Sequence, residues 1–141
     1  FKIKNILSNE VNFETKKTKH TINKSNDSKN QNINKNNFAV GIDIQNIGEF
    51  IKLVEGNNLK KSDFIKDYFT DKEIAYSESR PDMMETICGI YSAKESIRKT
   101  GNKNDFKKIE IIHINGRPTC KNYHISISHS AGVCVAVCIQ T

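Results

Sequence analysis

The segment Met83–Lys99 constrains the possible fold more than any other part of this sequence, because it predicts a long, well-delimited helix. Pro81 and Asp82 precede it, and Asp82 with Glu85 has the spacing of a capping box. Gly101 follows the last predicted helical residue, a position where glycine commonly ends a helix. The remaining elements must come from the shorter patterns on either side of this helix.

Short strands and short helices are predicted around the long helix. Four segments predict strands: Phe38–Ile44, Ile109–Ile114, Tyr123–His129 and Val133–Gln140. Turns are predicted at Asn115–Pro118 and Ser130–Gly132. Three short helices are predicted: one after the N-cap Asn46, Ser62–Tyr68 and Thr70–Ser79. This order predicts an α+β fold, with a small antiparallel sheet packed on one long helix and several short helices.

Residues 1–37 differ in composition from the rest of the chain. Between residues 20 and 37 only Ile22 and Ile33 are apolar, which is too little apolar surface to offset the entropy of folding. We therefore predict a flexible N-terminal segment at 1–37 and one folded domain at 38–141. Because the sequence does not begin with Met, we also expect that the true N-terminus was removed, and a targeting segment could have been removed with it.

The positive charge is concentrated in the same segment. The formal net charge is +6, but most of the excess comes from lysines of residues 1–37, and residues 38–141 are nearly neutral. These lysines are mostly single and diluted by asparagine, without arginine or interleaved aromatic residues, so a nucleic-acid-binding arm is less favoured than an inert tail. No run of about 18 apolar residues occurs, so no membrane-spanning helix is predicted.

The four cysteines, Cys88, Cys120, Cys134 and Cys138, form no C-x-x-C pair and no spacing typical of a zinc site. Cys134 and Cys138 lie in one predicted strand, where their Cα atoms would be about 13 Å apart and beyond disulfide reach. Buried reduced thiols are therefore expected, as in a reducing compartment.

Two carboxylates lie at unusual positions. Asp43 falls within a predicted strand, where aspartate is disfavoured, and Gly41 on the same face leaves room for a ligand. The alternative for Asp43 is a turn residue at the strand end. Glu95 lies in the middle of the long helix on the face that carries Ser92 and Lys99, and its spacing alone favours an ordinary surface pair with Lys99. Two carboxylates on separate elements also suit Mg²⁺, which takes one or two carboxylates together with phosphates and water.

The predicted strand Tyr123–His129 brings serine and histidine side chains close together in sequence. Ile125, Ile127 and His129 lie on one face, and Ser128 lies on the other. A serine–histidine hydrolase would need a nucleophile elbow of the G-x-S-x-G type, and the sequence contains none. A polar strand edge is therefore favoured over a hydrolytic triad.

Taken in order, several segments of residues 38–141 resemble the holo-acyl-carrier-protein synthase family of 4′-phosphopantetheinyl transferases. The segments that carry the resemblance are Gly41–Ile44, Phe69–Tyr76, Gly89–Lys99, Asn115–Pro118 and Ile125–Ser130. Each motif alone is weak, but their order and near-family spacing make the resemblance specific. Two features depart from the family pattern: Ile90 and Tyr91 replace a basic residue and a phenylalanine, and the stretch from Glu95 to His129 is short, through trimmed loops or missing residues.

The resemblance implies an enzyme that transfers the phosphopantetheine arm of coenzyme A to a serine of apo-acyl carrier protein and releases adenosine 3′,5′-bisphosphate. It implies Asp43 and Glu95 as Mg²⁺ ligands, and both of these with Lys99 as catalytic residues. It implies a set of residues that bind coenzyme A: Lys99, Asn115, Gly116, Arg117, Pro118, Ser128 and His129. The group that takes the serine proton stays open between a carboxylate acting through water and a metal-bound hydroxide.

The resemblance also suggests a homotrimer, and Val133–Gln140 gives a partial physical reason because it is apolar on both faces. The alternative is that the short helices between Ser62 and Ser79 cover the second face within one chain.

An acidic carrier protein is expected to dock on a group of lysines that follows Asp43 in the sequence: Lys52, Lys60, Lys61 and Lys66. The alternative is that these lysines form only a solvated charged face.

Asn- and Lys-rich composition resembles that of proteins from AT-rich protozoan parasites, which suggests a plastid-type, apicoplast-like organelle, with a cytoplasmic location as the alternative. A non-catalytic carrier-protein-binding or nucleic-acid-binding module with a degenerate site is the alternative function. The presence of both carboxylates and Lys99 argues against a degenerate site.

Overall fold

The computed structural model describes residues 38–54 and 59–141. The prediction of a flexible segment at 1–37 lies outside the described residues and stays a prediction. No helix in the described part of the chain is long and apolar enough to cross a membrane.

Five antiparallel strands form one sheet in the order β1-β5-β4-β3-β2. The strands are β1 Val40–Asn46, β2 Ile112–Ile114, β3 Arg117–Cys120, β4 Tyr123–Ser130 and β5 Val133–Gln140. The predicted hairpin of the last two strands is confirmed. The turn predicted at Asn115–Pro118 is shorter in the structure, because Arg117 and Pro118 belong to β3 and lie opposite Ile114 and His113 of β2.

The helices are α1 Ile47–Val54, α2 Asp63–Tyr68, α3 Asp71–Glu78 and α4 Met83–Lys99, with 3₁₀ turns at Leu59–Lys61 and Phe106–Lys108. Together with the sheet they confirm the predicted α+β fold. The capping box of Thr70 and Glu73 at the start of α3 is present in both directions. The capping box predicted at Asp82 is wrong, because the Asp82 side chain makes no capping hydrogen bond and its backbone lies outside the extended region typical of an N-cap.

The sheet has one covered face and one open face. α4 packs across β1, β5 and β4, where Cys134, Ala136 and Cys138 have no exposed surface. On the opposite face of β1, Ile42 and Ile44 are 62% and 66% exposed. All four cysteines are free thiols, as predicted.

A fully buried ion pair joins α3 to α4. The side chains of Lys94 and Glu73 have no exposed surface, and Lys94 Nζ lies 2.6 Å from Glu73 Oε2. The same ammonium group donates to the backbone carbonyls of Tyr68 at 2.8 Å and Phe106 at 3.0 Å. All three donors of the lysine are therefore satisfied, as a buried ammonium requires.

The carboxylate of this pair is satisfied as well. Glu73 accepts hydrogen bonds from the backbone N–H groups of Thr70 and Ile111, each at 2.8 Å. Burial raises the pKa of Glu73 and lowers that of Lys94, while their mutual attraction opposes both shifts. The pair ties α4 to α3 and to the segment that leads into β2.

Replacing Lys94 by methionine is expected to lower the free energy of unfolding by about 3–5 kcal/mol, because it leaves Glu73 buried without its counter-charge. Lys72→Met is the matched control, since Lys72 makes an exposed pair with Glu110 at 3.2 Å, and its loss is expected to stay below about 1 kcal/mol. Urea unfolding of both variants measures the difference, and equal losses would contradict the prediction.

Candidate active site

Asp43 lies on the inner face of β1 and is held by three donors. Its Oδ1 accepts from Lys99 Nζ at 2.8 Å, and its Oδ2 accepts from Ser92 Oγ at 3.0 Å and Gln45 Nε2 at 2.8 Å. The residue is 6% exposed and lies opposite Ala136 within the paired strand. The turn interpretation of Asp43 is therefore wrong, and its carboxylate is a fixed, nearly buried charge facing α4.

Gly41 allows β1 to approach α4 this closely. A Cβ atom at Gly41 would lie 1.8 Å from the backbone oxygen of Ser96, so no side chain fits between the strand and the helix. Because Asp43 is two residues further along the same face, this contact brings it within reach of Ser92 and Lys99, which lie about two turns apart on α4.

Glu95 lies three residues after Ser92 and four before Lys99 in α4, so helical spacing places it at the edge of the face that contacts β1. Lys99 pairs with Asp43, so the predicted surface pair between Glu95 and Lys99 is not formed. Glu95 Oε1 instead accepts a hydrogen bond from the Tyr91 hydroxyl at 3.0 Å. Burial, reinforced by the charge of Glu95, raises the pKa of Tyr91, so the phenol stays protonated and remains a donor.

A separate cleft of about 340 Å³ opens beside the N-terminal half of α4. His113 stacks on Tyr76 with ring centroids 4.0 Å apart, and burial together with the charge of Arg80 lowers the pKa of His113. Gly89 leaves space for His129, whose Nε2 would lie 2.8 Å from a Cβ at that position. The cleft is lined mainly by polar and small groups, among them Arg80, Glu85, Gly89, His113, Gly116 and His129.

The residues implied by the family resemblance fall into two groups in one chain. Asp43 and Lys99 are in contact, and Glu95 lies on the same helix face. Gly116, Pro118 and His129 line the cleft, which does not include the first group. Asn115 and Arg117 are exposed beside Gly116 in the turn between β2 and β3, and Ser128 lies on the face of β4 opposite His129.

Sequence reasoning missed several partners of these residues. Gln45 shares a strand face with Asp43, so the period-two pattern contains a signal for it. The stack of Tyr76 on His113 joins α3 to β2, which are distant in sequence, so no local pattern indicates it. Arg80 lies over the Tyr76 ring, only four residues away.

The chemistry of Asp43 and Glu95 is compatible with Mg²⁺, which prefers carboxylate oxygens. Asp43 Oδ1 already holds a cationic group, the Lys99 ammonium, in a nearly buried position. The described residues contain no group of three or more His, Cys, Asp or Glu side chains that could hold a metal. A site with two carboxylates suits Mg²⁺ all the same, since this ion keeps several waters and takes oxygens from substrate phosphates.

Comparison with known families agrees with this arrangement. The model of the 4′-phosphopantetheinyl transferase superfamily matches residues 39–138. The chain therefore belongs to this superfamily of transferase enzymes, as the sequence motifs predicted.

Within the superfamily the chain is similar to holo-[acyl-carrier-protein] synthases. One from Caldicellulosiruptor saccharolyticus is 37% identical over 122 residues, which cover 72% of this chain and 94% of that protein. The structure of the Helicobacter pylori enzyme in complex with coenzyme A has 25% identity and a TM-score of 0.60, and covers 72% of this chain and 99% of that one. The Neisseria meningitidis enzyme has a TM-score of 0.63 at 18% identity, over 73% of this chain and 97% of that one, and supports the fold.

Replacing Gly41 by alanine is expected to lower the free energy of unfolding by more than about 3 kcal/mol, since the new methyl group would meet a helix carbonyl. Gly48→Ala is the matched control, because Gly48 is an exposed residue of α1 where an added Cβ meets only the Asn46 side chain, at 3.2 Å. The control should be neutral or slightly stabilising. Thermal and urea unfolding check both variants, and a Gly41→Ala variant as stable as the parent would contradict the close packing.

Proposed function

We propose that this protein transfers the 4′-phosphopantetheine arm of coenzyme A to a serine of an apo-acyl carrier protein, depends on Mg²⁺ and releases adenosine 3′,5′-bisphosphate. The observation that carries the proposal is the nearly buried Asp43 carboxylate, held by Lys99 on the helix face that carries Glu95. The holo-[acyl-carrier-protein] synthase similarity supplies the reaction class and the two substrates.

The reaction requires compensation of negative charge more than covalent help from the protein. Asp43 and Glu95 are the residues that would hold Mg²⁺, which when bound neutralises charge on the pyrophosphate of coenzyme A. Lys99 has half of its side-chain surface exposed, 52%, so its ammonium group is accessible to a phosphate as well as to Asp43. Ser92 and Gln45 fix the second oxygen of Asp43 and keep the carboxylate in one orientation.

The cleft beside α4 is the proposed site for the nucleotide end of coenzyme A. Arg80 supplies a positive charge there, and His129 reaches α4 over the bare backbone of Gly89. The backbone at Gly116 has a positive φ of 78°, which gives the turn a tight shape that leaves the adjoining cleft open. Asp82 and Glu85 also line the cleft and partly balance the charge of Arg80.

The lysines predicted to dock the carrier protein are mostly paired with neighbouring acids. Lys52 pairs with Glu49 at 2.7 Å and Lys66 with Asp63 at 2.9 Å, within their own helices. Lys60 pairs with Glu78 at 2.9 Å. These contacts favour the alternative of a solvated charged face, and the proposed docking of a carrier protein does not depend on this group.

Transfer is tested by incubating the protein with coenzyme A, Mg²⁺ and an apo-acyl carrier protein, and by measuring the intact mass of the carrier. We expect the mass of the carrier protein to increase by that of the added arm. After metal removal with EDTA, we expect no increase. Asp43→Asn and Glu95→Gln are expected to lower kcat/KM at least about 100-fold, because metal-based charge stabilisation contributes several kcal/mol.

Glu49→Gln is the matched control, since Glu49 is an exposed carboxylate of α1 paired only with Lys52 in the described part of the chain. It should retain the parent rate. An unmodified carrier protein would overturn the proposed reaction, and full activity of either site variant after EDTA treatment would overturn the metal assignment.

We also propose a homotrimer in which a neighbouring chain completes the site. The open sheet face supports this, because Val40, Ile42 and Ile44 are 61%, 62% and 66% exposed. The predicted alternative, in which short helices cover this face, is wrong: α3 packs on α4, on the other side of the sheet. The separation of the Asp43 group from the cleft in one chain is a second support.

The double variant Ile42→Glu/Ile44→Glu is expected to become monomeric and to lose most activity, since two charges would be buried in the apolar contact. Leu53→Glu is the matched control, because Leu53 is a similarly exposed apolar residue, 54%, that lies on helix α1 rather than on a strand of the sheet. Light scattering behind a sizing column gives the mass. A parent protein that is a fully active 16.0 kDa monomer at micromolar concentration would contradict the proposal.

A further inference from the structure

Tyr91 makes a contact that the proposed reaction does not yet use. Its hydroxyl donates to Glu95 Oε1 at 3.0 Å, one turn further along α4. In the described part of the chain Glu95 accepts no other side-chain hydrogen bond. Asp43, in contrast, accepts from three side chains. Of the two carboxylates proposed to hold Mg²⁺, Glu95 therefore depends on a single donor.

The ring of Tyr91 is fixed by aromatic neighbours on several elements. Phe50 of α1 lies 5.4 Å away between ring centroids, and Phe64 of α2 lies 5.5 Å away. Phe106 stacks on Tyr91 at 5.9 Å with an interplanar angle of 13°. Because the ring is clamped from α1, α2 and the 3₁₀ turn after α4, the hydroxyl at its end occupies a defined position. A rigid donor of this kind can hold a flexible carboxylate.

We propose that Tyr91 is a positioning residue for Glu95: its hydroxyl holds one carboxylate oxygen and so orients the group for metal binding. This inference rests on the proposed function, in which Glu95 is a Mg²⁺ ligand. A glutamate side chain on a helix surface samples several rotamers and loses conformational entropy when it binds a metal. If the side chain is already held in one orientation, this entropy loss does not oppose metal binding. Glu95 is only half-buried, so packing alone does not restrict it.

The simpler alternative is that Tyr91 serves only the aromatic cluster. The two explanations differ in which part of the residue matters. Packing uses the ring, which phenylalanine also supplies, whereas positioning uses the hydroxyl alone. Tyr91→Phe therefore keeps the ring contacts and removes the donor to Glu95.

The test measures metal binding directly, with Mn²⁺ as the probe. Free Mn²⁺ is followed by electron paramagnetic resonance during titration of the full chain at a fixed concentration of coenzyme A. Tyr91→Phe is expected to raise the Kd for Mn²⁺ roughly 10- to 100-fold, the range typical of lost support to a metal ligand. The Mg²⁺ concentration for half-maximal transfer should rise in parallel, with little change in kcat at saturating Mg²⁺ or in Tm.

Tyr68→Phe is the matched control. Tyr68 belongs to the same aromatic cluster, with its ring centroid 5.9 Å from that of Tyr91. Removing its hydroxyl should leave Mn²⁺ binding at the parent value. Equal weakening of Mn²⁺ binding in both variants would show a general packing effect and overturn the positioning role.

Glu95→Gln separates failure of this inference from failure of the proposed function. If Glu95→Gln weakens Mn²⁺ binding while Tyr91→Phe binds as the parent does, the metal assignment stands and the positioning role of Tyr91 is wrong. If Glu95→Gln also binds Mn²⁺ as the parent does, Glu95 is not a metal ligand, and both the metal assignment and the positioning role fail.

Discussion

The side chains of Lys94 and Glu73 are fully buried. Removing an ammonium group and a carboxylate from water costs several kcal/mol of free energy for each group. The cost is offset only because every donor and acceptor of the pair finds a partner among Tyr68, Phe106, Thr70 and Ile111 or in the pair itself. A small rotation of α4 would break several of these contacts at once. The pair therefore fixes the rotation of α4 about its own axis.

The rotation of α4 determines what its other residues face. With Lys94 directed toward α3, the next residue, Glu95, lies about 100° around the helix, at the edge of the side on which Ser92 and Lys99 contact β1. The contact of Gly41 with Ser96 then sets the distance between β1 and α4, and this brings the Asp43 carboxylate to Ser92 and Lys99. The geometry of the candidate active site thus depends on a buried ion pair that makes no hydrogen bond with Asp43 or Glu95 in the described part of the chain.

Local signals in the sequence predict the elements well and the contacts between elements poorly. The bounds of α4 and the capping box of Thr70 follow from residues within one or two turns, so they are visible in the sequence. Asp43 was identifiable because aspartate is disfavoured inside a strand. The sequence did not show that Lys99 pairs with Asp43 instead of Glu95. This pairing depends on the close approach that Gly41 permits between distant segments. The Lys94–Glu73 pair was missed because it too joins two elements through side chains that are far apart in sequence.

The same contact also decides which residues of β1 stay exposed. α4 can cover only one face of a sheet, and the position of Asp43 and Gly41 on the inner face of β1 commits the helix to that face. The apolar residues that alternate with them, among them Ile42 and Ile44, must then point away from the helix. An exposed row of branched apolar residues of this kind is typical of an interaction surface. In the homotrimer proposed above, a neighbouring copy of this sheet would cover this surface, and it would bring further residues to the edge of the sheet where Asp43 lies.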